Sequence, residues 1–252
     1  MLNRIIILLV MLIIISCDLP QDPGPMPTEI IAQKFEPGHN VFGVLRNDGQ
    51  PGTSFLHVER AWETEEMTEE FDAFIRNATV TIFNDSAEWD FTYLNDTVYN
   101  EIYTNPGFLP LSGMEYGLIV ESPELPTLTG TVVIPEKPPV DSSSIKIVNN
   151  YIQFSLAATS SIRMYDIYVF SELDVIDQRL ISNGDAMEVK MDFSELGGVP
   201  NLIFIYGYES NLATYQTSPS TIKPQTYHET VITVEGGYGC FGALSVISIA
   251  LD

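Results

Sequence analysis

Basic side chains are scarce in this sequence. Eleven Lys and Arg stand against 34 Asp and Glu in 252 residues, a formal charge of −23. Such a chain lacks the clustered cations that displace counterions from phosphate, so nucleic acid is not expected as a partner. Its folded part is not drawn to an anionic membrane surface either. Cysteine is nearly absent: Cys17 and Cys240 are the two present, which rules out a disulfide scaffold. Helix signals are few, and Glu63–Phe71 and Ser194–Leu196 are the only short candidates. No G-x-S-x-G, H-E-x-x-H, P-loop or C-x-x-C pattern occurs. His39, His57 and His228 show no metal-ligand spacing. No cofactor, metal site or catalytic residue is therefore expected. What the chain does have is 45% hydrophobic and 11% aromatic residues, enough to build cores.

The N-terminus reads as an address. Arg4 precedes an unbroken apolar run, Ile5–Ile15. The run is too short for a bilayer span, which needs ~20 residues, and suits the core of a secretory leader. It ends in Ile14-Ile15-Ser16-Cys17, the residue types of a bacterial lipobox. The Cys17 thiol takes a diacylglycerol, the small Ser16 admits the peptidase, and the freed amine accepts a further acyl chain such as palmitate. Two or three chains at ~0.8 kcal/mol per buried methylene make a lasting anchor. Residues 1–16 are thus expected to be a lipoprotein signal peptide. Residues 17–28, with Pro20, Pro23, Pro25 and Pro27, are expected to be a semi-extended tether reaching roughly 35 Å at most. The expected location is the bacterial cell envelope, lipid-anchored, at the outer membrane on its periplasmic or surface side. Asp18 leaves the leaflet open.

From about Asn40 the hydrophobic period is two. Trp89, Phe91 and Tyr93 alternate with Asp90 and Thr92, and Met187, Val189, Met191 and Phe193 with Glu188, Lys190 and Asp192. This marks strands with one face in a core. Asn47-Asp48-Gly49 and Asn183-Gly184 are hairpin turns by composition. Seven strands are predicted between Val41 and Ile134 and eight between 144 and 250. Pro135, Pro138 and Pro139 interrupt them, since proline lacks the ladder donor. The expected fold is all-β: two consecutive antiparallel sandwiches, an immunoglobulin-like or transthyretin-like one over 29–137 and a fibronectin type III-like one over 138–252.

Few local patterns suggest chemistry. Gly237-Tyr-Gly239-Cys-Phe-Gly242 matches G-x-G-x-x-G, but strand-like residues follow it where a dinucleotide site needs a helix. It reads as a tight backbone approach. Cys240 reads as a buried inert thiol. The acidic run at 63–72 lacks an EF-hand pattern and reads as a solvated segment. Tyrosines concentrate in the C-terminal third, and Tyr206, Tyr208, Asn211 and Tyr215 are the candidate ligand- or partner-binding residues, with Asn211 and Tyr215 placed in a loop after Tyr208.

Several segments together resemble a family. Val41-Phe-Gly-Val-Leu-Arg46, Arg76-Asn-Ala-Thr-Val-Thr-Ile-Phe83, Gly113-Met-Glu-Tyr-Gly-Leu-Ile-Val120, Thr131-Val-Val-Ile-Pro135 and Gly236-Gly-Tyr-Gly-Cys-Phe-Gly-Ala243 resemble, in order and spacing, a group of Gram-negative, Bacteroidota-like β-rich envelope lipoproteins known only as a domain of unknown function. Its members are often encoded beside TonB-dependent transporters. The resemblance implies an accessory role beside such a transporter or another envelope protein, and it carries over no catalytic residue.

The expected function is a non-enzymatic, lipid-anchored binding or accessory module for an outer-membrane transporter or surface assembly. One alternative is a hydrolase of polysaccharide or peptide, which paired carboxylates or a Ser–His contact in a concave pocket would favour. Another is a structural or adhesive surface protein.

Overall fold

The computed structural model describes residues 36–62, 66, 72–96, 100–218 and 232–251. The leader, Cys17, the tether, His228 and nearly all of Glu63–Phe71 lie outside them. Residues 37–252 form one compact unit.

The alternating segments are strands, and each buries the face its sequence makes apolar. In the first half these are β1 (His39–Asn47), β2 (Phe55–Arg60), β3 (Thr79–Phe83), β4 (Glu88–Asp96), β5 (Asn100–Thr104), β6 (Glu115–Ser122) and β7 (Leu125–Val133). In the second half they are β8 (Val140–Val148), β9 (Tyr151–Leu156), β10 (Met164–Phe170), β11 (Val175–Ile181), β12 (Met187–Asp192), β13 (Leu202–Tyr208), β14 (Val234–Glu235) and β15 (Gly237–Ala250). The fold is an all-β sandwich architecture, with one described helix, α1 (Ser210–Thr217). Ser194–Leu196 is a turn, closed by Leu196 N–H donating to the Phe193 carbonyl at 3.0 Å.

Two cores form. The first holds Val41, Leu45, Leu56, Val58, Ile82, Phe108, Tyr116 and Leu118. Its aromatic centre packs Trp89 and Phe91 edge-on to Phe108 at 5.1 and 5.3 Å between ring centres. The second is mainly aliphatic: Ile152, from the three-stranded sheet β12-β9-β8, clusters with Ile162, Ile167, Val169, Ile203 and Ile205.

Residues 135–139 carry no strand, and strands from both sides of them share the larger sheet. β14 and β15, far beyond the expected 137/138 boundary, return to the first half. Val234 and Glu235 pair with β7. The first part of β15 runs parallel to β1, from His39↔Gly237 to Asn47↔Ser245, the one departure from antiparallel pairing among the described strands. The second part of β15 pairs with β13, from Tyr208↔Leu244 to Leu202↔Ala250. One sheet of order β11-β10-β13-β15-β1-β2-β5-β4-β3-β6-β7-β14 results, and Phe241 and Ala243 sit in the first core while Ile247 and Ile249 pack on the second.

The seam is tied by polar groups from both sides. Lys137 Nζ donates to the carbonyls of Asn47 (2.6 Å) and Val246 (3.1 Å), and Ser245 Oγ donates to the Glu136 carbonyl at 2.7 Å. Gly207 leaves room for Ile162 and Pro138 where a side chain would meet both.

Candidate functional site

A strand buries alternate residues, so β15 and its neighbours present a second face, opposite the cores. Across that face run Tyr168 and Phe170 of β10, Phe204, Tyr206 and Tyr208 of β13, Leu244 and Val246 of β15, Phe42 and Val44 of β1, and Phe55 and His57 of β2. The rings are in contact: Tyr168 with Tyr206 at 5.5 Å, Phe170 with Phe204 at 5.7 Å, Phe42 with Phe55 at 6.3 Å and Phe42 with Tyr215 at 5.5 Å. Edge-on and offset aromatic pairs of this kind are favourable beyond their buried area. The aromatic side chains are half-buried rather than sealed.

An open groove of about 540 Å³ cuts into this face between Phe204, Tyr206 and Val246 on one side and the β1–β2 turn on the other. Arg46, Asp48, Gln50 and Thr53 give it a polar wall, and Phe55, Leu94 and Ile102 an apolar floor. Arg46 and Asp48 approach to 3.5 Å.

The four residues singled out in the sequence fall on or beside this face with different roles. Tyr206 lines the groove. Tyr208 is bonded to Asp166, and burial with that acidic neighbour pushes its hydroxyl well above the ordinary tyrosine range. Asp166 in turn accepts two bonds from Arg179, both 2.7 Å, in the bidentate geometry that favours Arg–carboxylate pairing. Asn211 and Tyr215 lie on α1, not in a loop. The Asn211 amide donates to the carbonyls of Thr131 and Phe241, each at 3.2 Å, so it is committed to joining β7, β15 and α1. Tyr215 packs on Phe42. Cys17 lies outside the described residues.

α1 exists because Glu209 caps it. The buried Glu209 carboxylate accepts from the N–H groups of Asn211 (2.6 Å), Leu212 (2.7 Å) and Ala243 (3.2 Å), satisfying donors that a helix start leaves open. Desolvation raises its pKa above the usual carboxylate value, against the effect of those three donors.

The glycine-rich segment is a backbone device. Gly236 (φ 75°) and Gly239 (φ 101°) occupy the left-handed region, and a Cβ would strike the Thr127 carbonyl at the first and the Val41 carbonyl at the second. The parallel ladder with β1 needs that closeness at Gly239, and the approach to β7 needs it at Gly236. Cys240, in the same segment, is fully buried, and desolvation pushes its thiol up to about 11, the state of an inert thiol. His57 is held by the Glu101 carbonyl at 2.9 Å. No cluster of three metal-binding side chains occurs among the described residues.

Sequence reasoning missed Phe42, Phe55, Tyr168, Phe170 and Phe204. Their signal was present as strands apolar on both faces, of which Leu202–Tyr208 was one. It also missed a contact with no linear signal. His39 is fully buried. Its Nδ1 lies 2.8 Å from the Pro126 carbonyl and its Nε2 2.9 Å from Ser122 Oγ, 83 residues away.

Among solved structures, the chain is similar to the crystal structure of the chicken CNTN1 FN1–FN3 domains, at 13% identity and a TM-score of 0.29; the match covers 85% of this chain and spans 66% of that one. A comparison with curated proteins finds no match. Residues 25–172 match the model of the family described as a domain of unknown function, DUF4249. With more than half of its length matched, the chain belongs to the DUF4249 family.

Proposed function

We propose that this chain is a lipid-anchored cell-envelope protein that works by binding, as an accessory module beside an outer-membrane transporter or another envelope protein. The observation that carries the reading is the half-buried aromatic face with its open groove. Aromatic side chains backed by a rigid sheet present large contact area at small entropic cost, the composition of binding hot spots. The Arg46–Asp48 wall adds directional polar groups at the groove's edge. The second support is Ile14-Ile15-Ser16-Cys17: acylation of Cys17 and a proline tether would hold this face at the membrane yet clear of it.

Intact-mass spectrometry of the protein extracted from membranes tests the anchor. The expected product begins at Cys17 and carries a diacylglyceryl group with a further acyl chain. Cys17→Ala releases the protein from the membrane fraction. A bare Cys17, or a leader still attached, overturns the proposal.

A further inference from the structure

The His39–Ser122 contact lies apart from the aromatic face, at the other edge of the first core. Ser122 ends β6, where the β6–β7 register shifts between Val120 and Ser122. Irregularities of this kind re-aim a side chain and recur beside active sites. Ser122 is partly exposed and lines a cleft of about 470 Å³ walled by Phe74, Ile75, Leu125, Arg60, Arg76 and Asn77.

The proton positions follow from chemistry alone. A carbonyl only accepts, so His39 Nδ1 carries the proton that bonds Pro126. Nε2 is then the free acceptor, and Ser122 Oγ–H is the donor. A base held by a third group and accepting from a hydroxyl is the arrangement that activates serine. The Pro126 carbonyl fills the orienting place. Gly237, fitted where a Cβ would press on the His39 carbonyl and on Leu128, lets β15 close on the His39 backbone.

We propose that Ser122 is a nucleophile, with His39 as its general base, and that the cleft takes uncharged carboxylic esters with a short apolar acyl group. The proposal goes beyond the binding role and does not depend on it. The apolar wall of Phe74, Ile75 and Leu125 suits such an acyl chain. Arg60 is paired with Glu66 at 2.7 Å, and Arg76 with Asp72 and Glu101 at 2.7 and 2.6 Å, so the cleft offers no unpaired cation from these two to select an anionic one. In the step, Ser122 Oγ bonds the ester carbonyl carbon as its proton passes to His39 Nε2. The carbon–alkoxy bond then breaks, and that proton leaves with the alcohol. Water attacks the acyl-serine by the reverse route, giving the carboxylic acid and restoring the Oγ–H.

The test uses the full chain with a fluorophosphonate probe and p-nitrophenyl butyrate, followed by peptide mapping. One adduct, on Ser122, is expected, with ester hydrolysis above the buffer rate. Ser122→Ala abolishes both without altering the circular dichroism. His39→Gln slows labelling by ~10²-fold or more. Because His39 is buried and its replacement could unfold the chain, Ser122→Cys gives a second route. The thiol it introduces, beside the imidazole, should be alkylated by iodoacetamide at pH 6 at least ~10-fold faster than free cysteine. A folded protein with no adduct on Ser122, or a Ser122→Cys variant alkylated no faster than free cysteine, overturns the proposal and leaves the contact as a tie between β1 and the β6–β7 turn.

Discussion

The two halves of β15 are one strand with two chemistries. Gly237–Ala243 is glycine-rich and pairs with β1 in parallel, where the left-handed φ of Gly239 and the close β1 carbonyls at Gly237 and Gly239 exclude a side chain at those two positions. Leu244–Ala250 is ordinary β sequence, Leu-Ser-Val-Ile-Ser-Ile-Ala, and pairs with β13 antiparallel. The first half is specified by what is absent from it and the second by which apolar side chains it carries. A glycine-aromatic signature can therefore mark a backbone junction rather than a phosphate site. The same strand makes the outer aromatic face continuous across both halves of the chain, because it joins β13 to β1.

Substitutions separate the two halves, each severe change in the first set against a milder one in the second. Gly239→Val should cost ~5 kcal/mol or prevent folding, because it adds left-handed strain to a collision with the Val41 carbonyl. Ser248→Val, at an exposed position of the second half, should change urea stability by less than ~0.5 kcal/mol. Phe241→Ala comes next, about 4 kcal/mol from an unfilled cavity in the first core. Ile249→Ala, on a partly exposed residue, should lie nearer ~1.5 kcal/mol by the same measurement. Glu209→Ala strands three N–H donors at the seam and should cost ~2 kcal/mol. Glu209→Gln keeps an acceptor and should recover part of that loss.

The remaining effect is a pH slope. Burial lowers the His39 pKa from its ordinary 6.5, against the bond to Pro126. The unfolded chain then takes up a proton at a higher pH than the folded one. Stability from this group is intact above 6.5 and declines as pH falls toward the lower folded value. Urea midpoints from pH 7.5 to 5 should show that decline, and His39→Gln should remove it.

Most strands were legible because each has one face in a core, and alternation records that directly. Met187–Phe193 alternates and becomes β12. α1 was not legible. Ser-Asn-Leu-Ala-Thr-Tyr-Gln-Thr has weak helix propensity, and its helix depends on the Glu209 cap and on burial of Leu212 and Ala213. The parallel β1–β15 ladder was hidden for a different reason. It joins residues about 200 positions apart, and no local period encodes a partner. The same distance argument hides His39 from Ser122. The aromatic face is half visible in the sequence: Tyr206 stands out among the C-terminal tyrosines, while nothing local tells which face of their strands Phe42 and Phe204 occupy.

The proposed binding role places a partner on the outer face of the shared sheet. A photo-crosslinking residue at Leu94, exposed on the groove, tests it against one at Lys190, on the sheet that covers the second core. In native cells the Leu94 probe should capture an envelope protein, the Lys190 probe should not, and Tyr206→Ala should weaken the capture. Equal capture from both positions, or capture from Lys190 alone, would contradict the account.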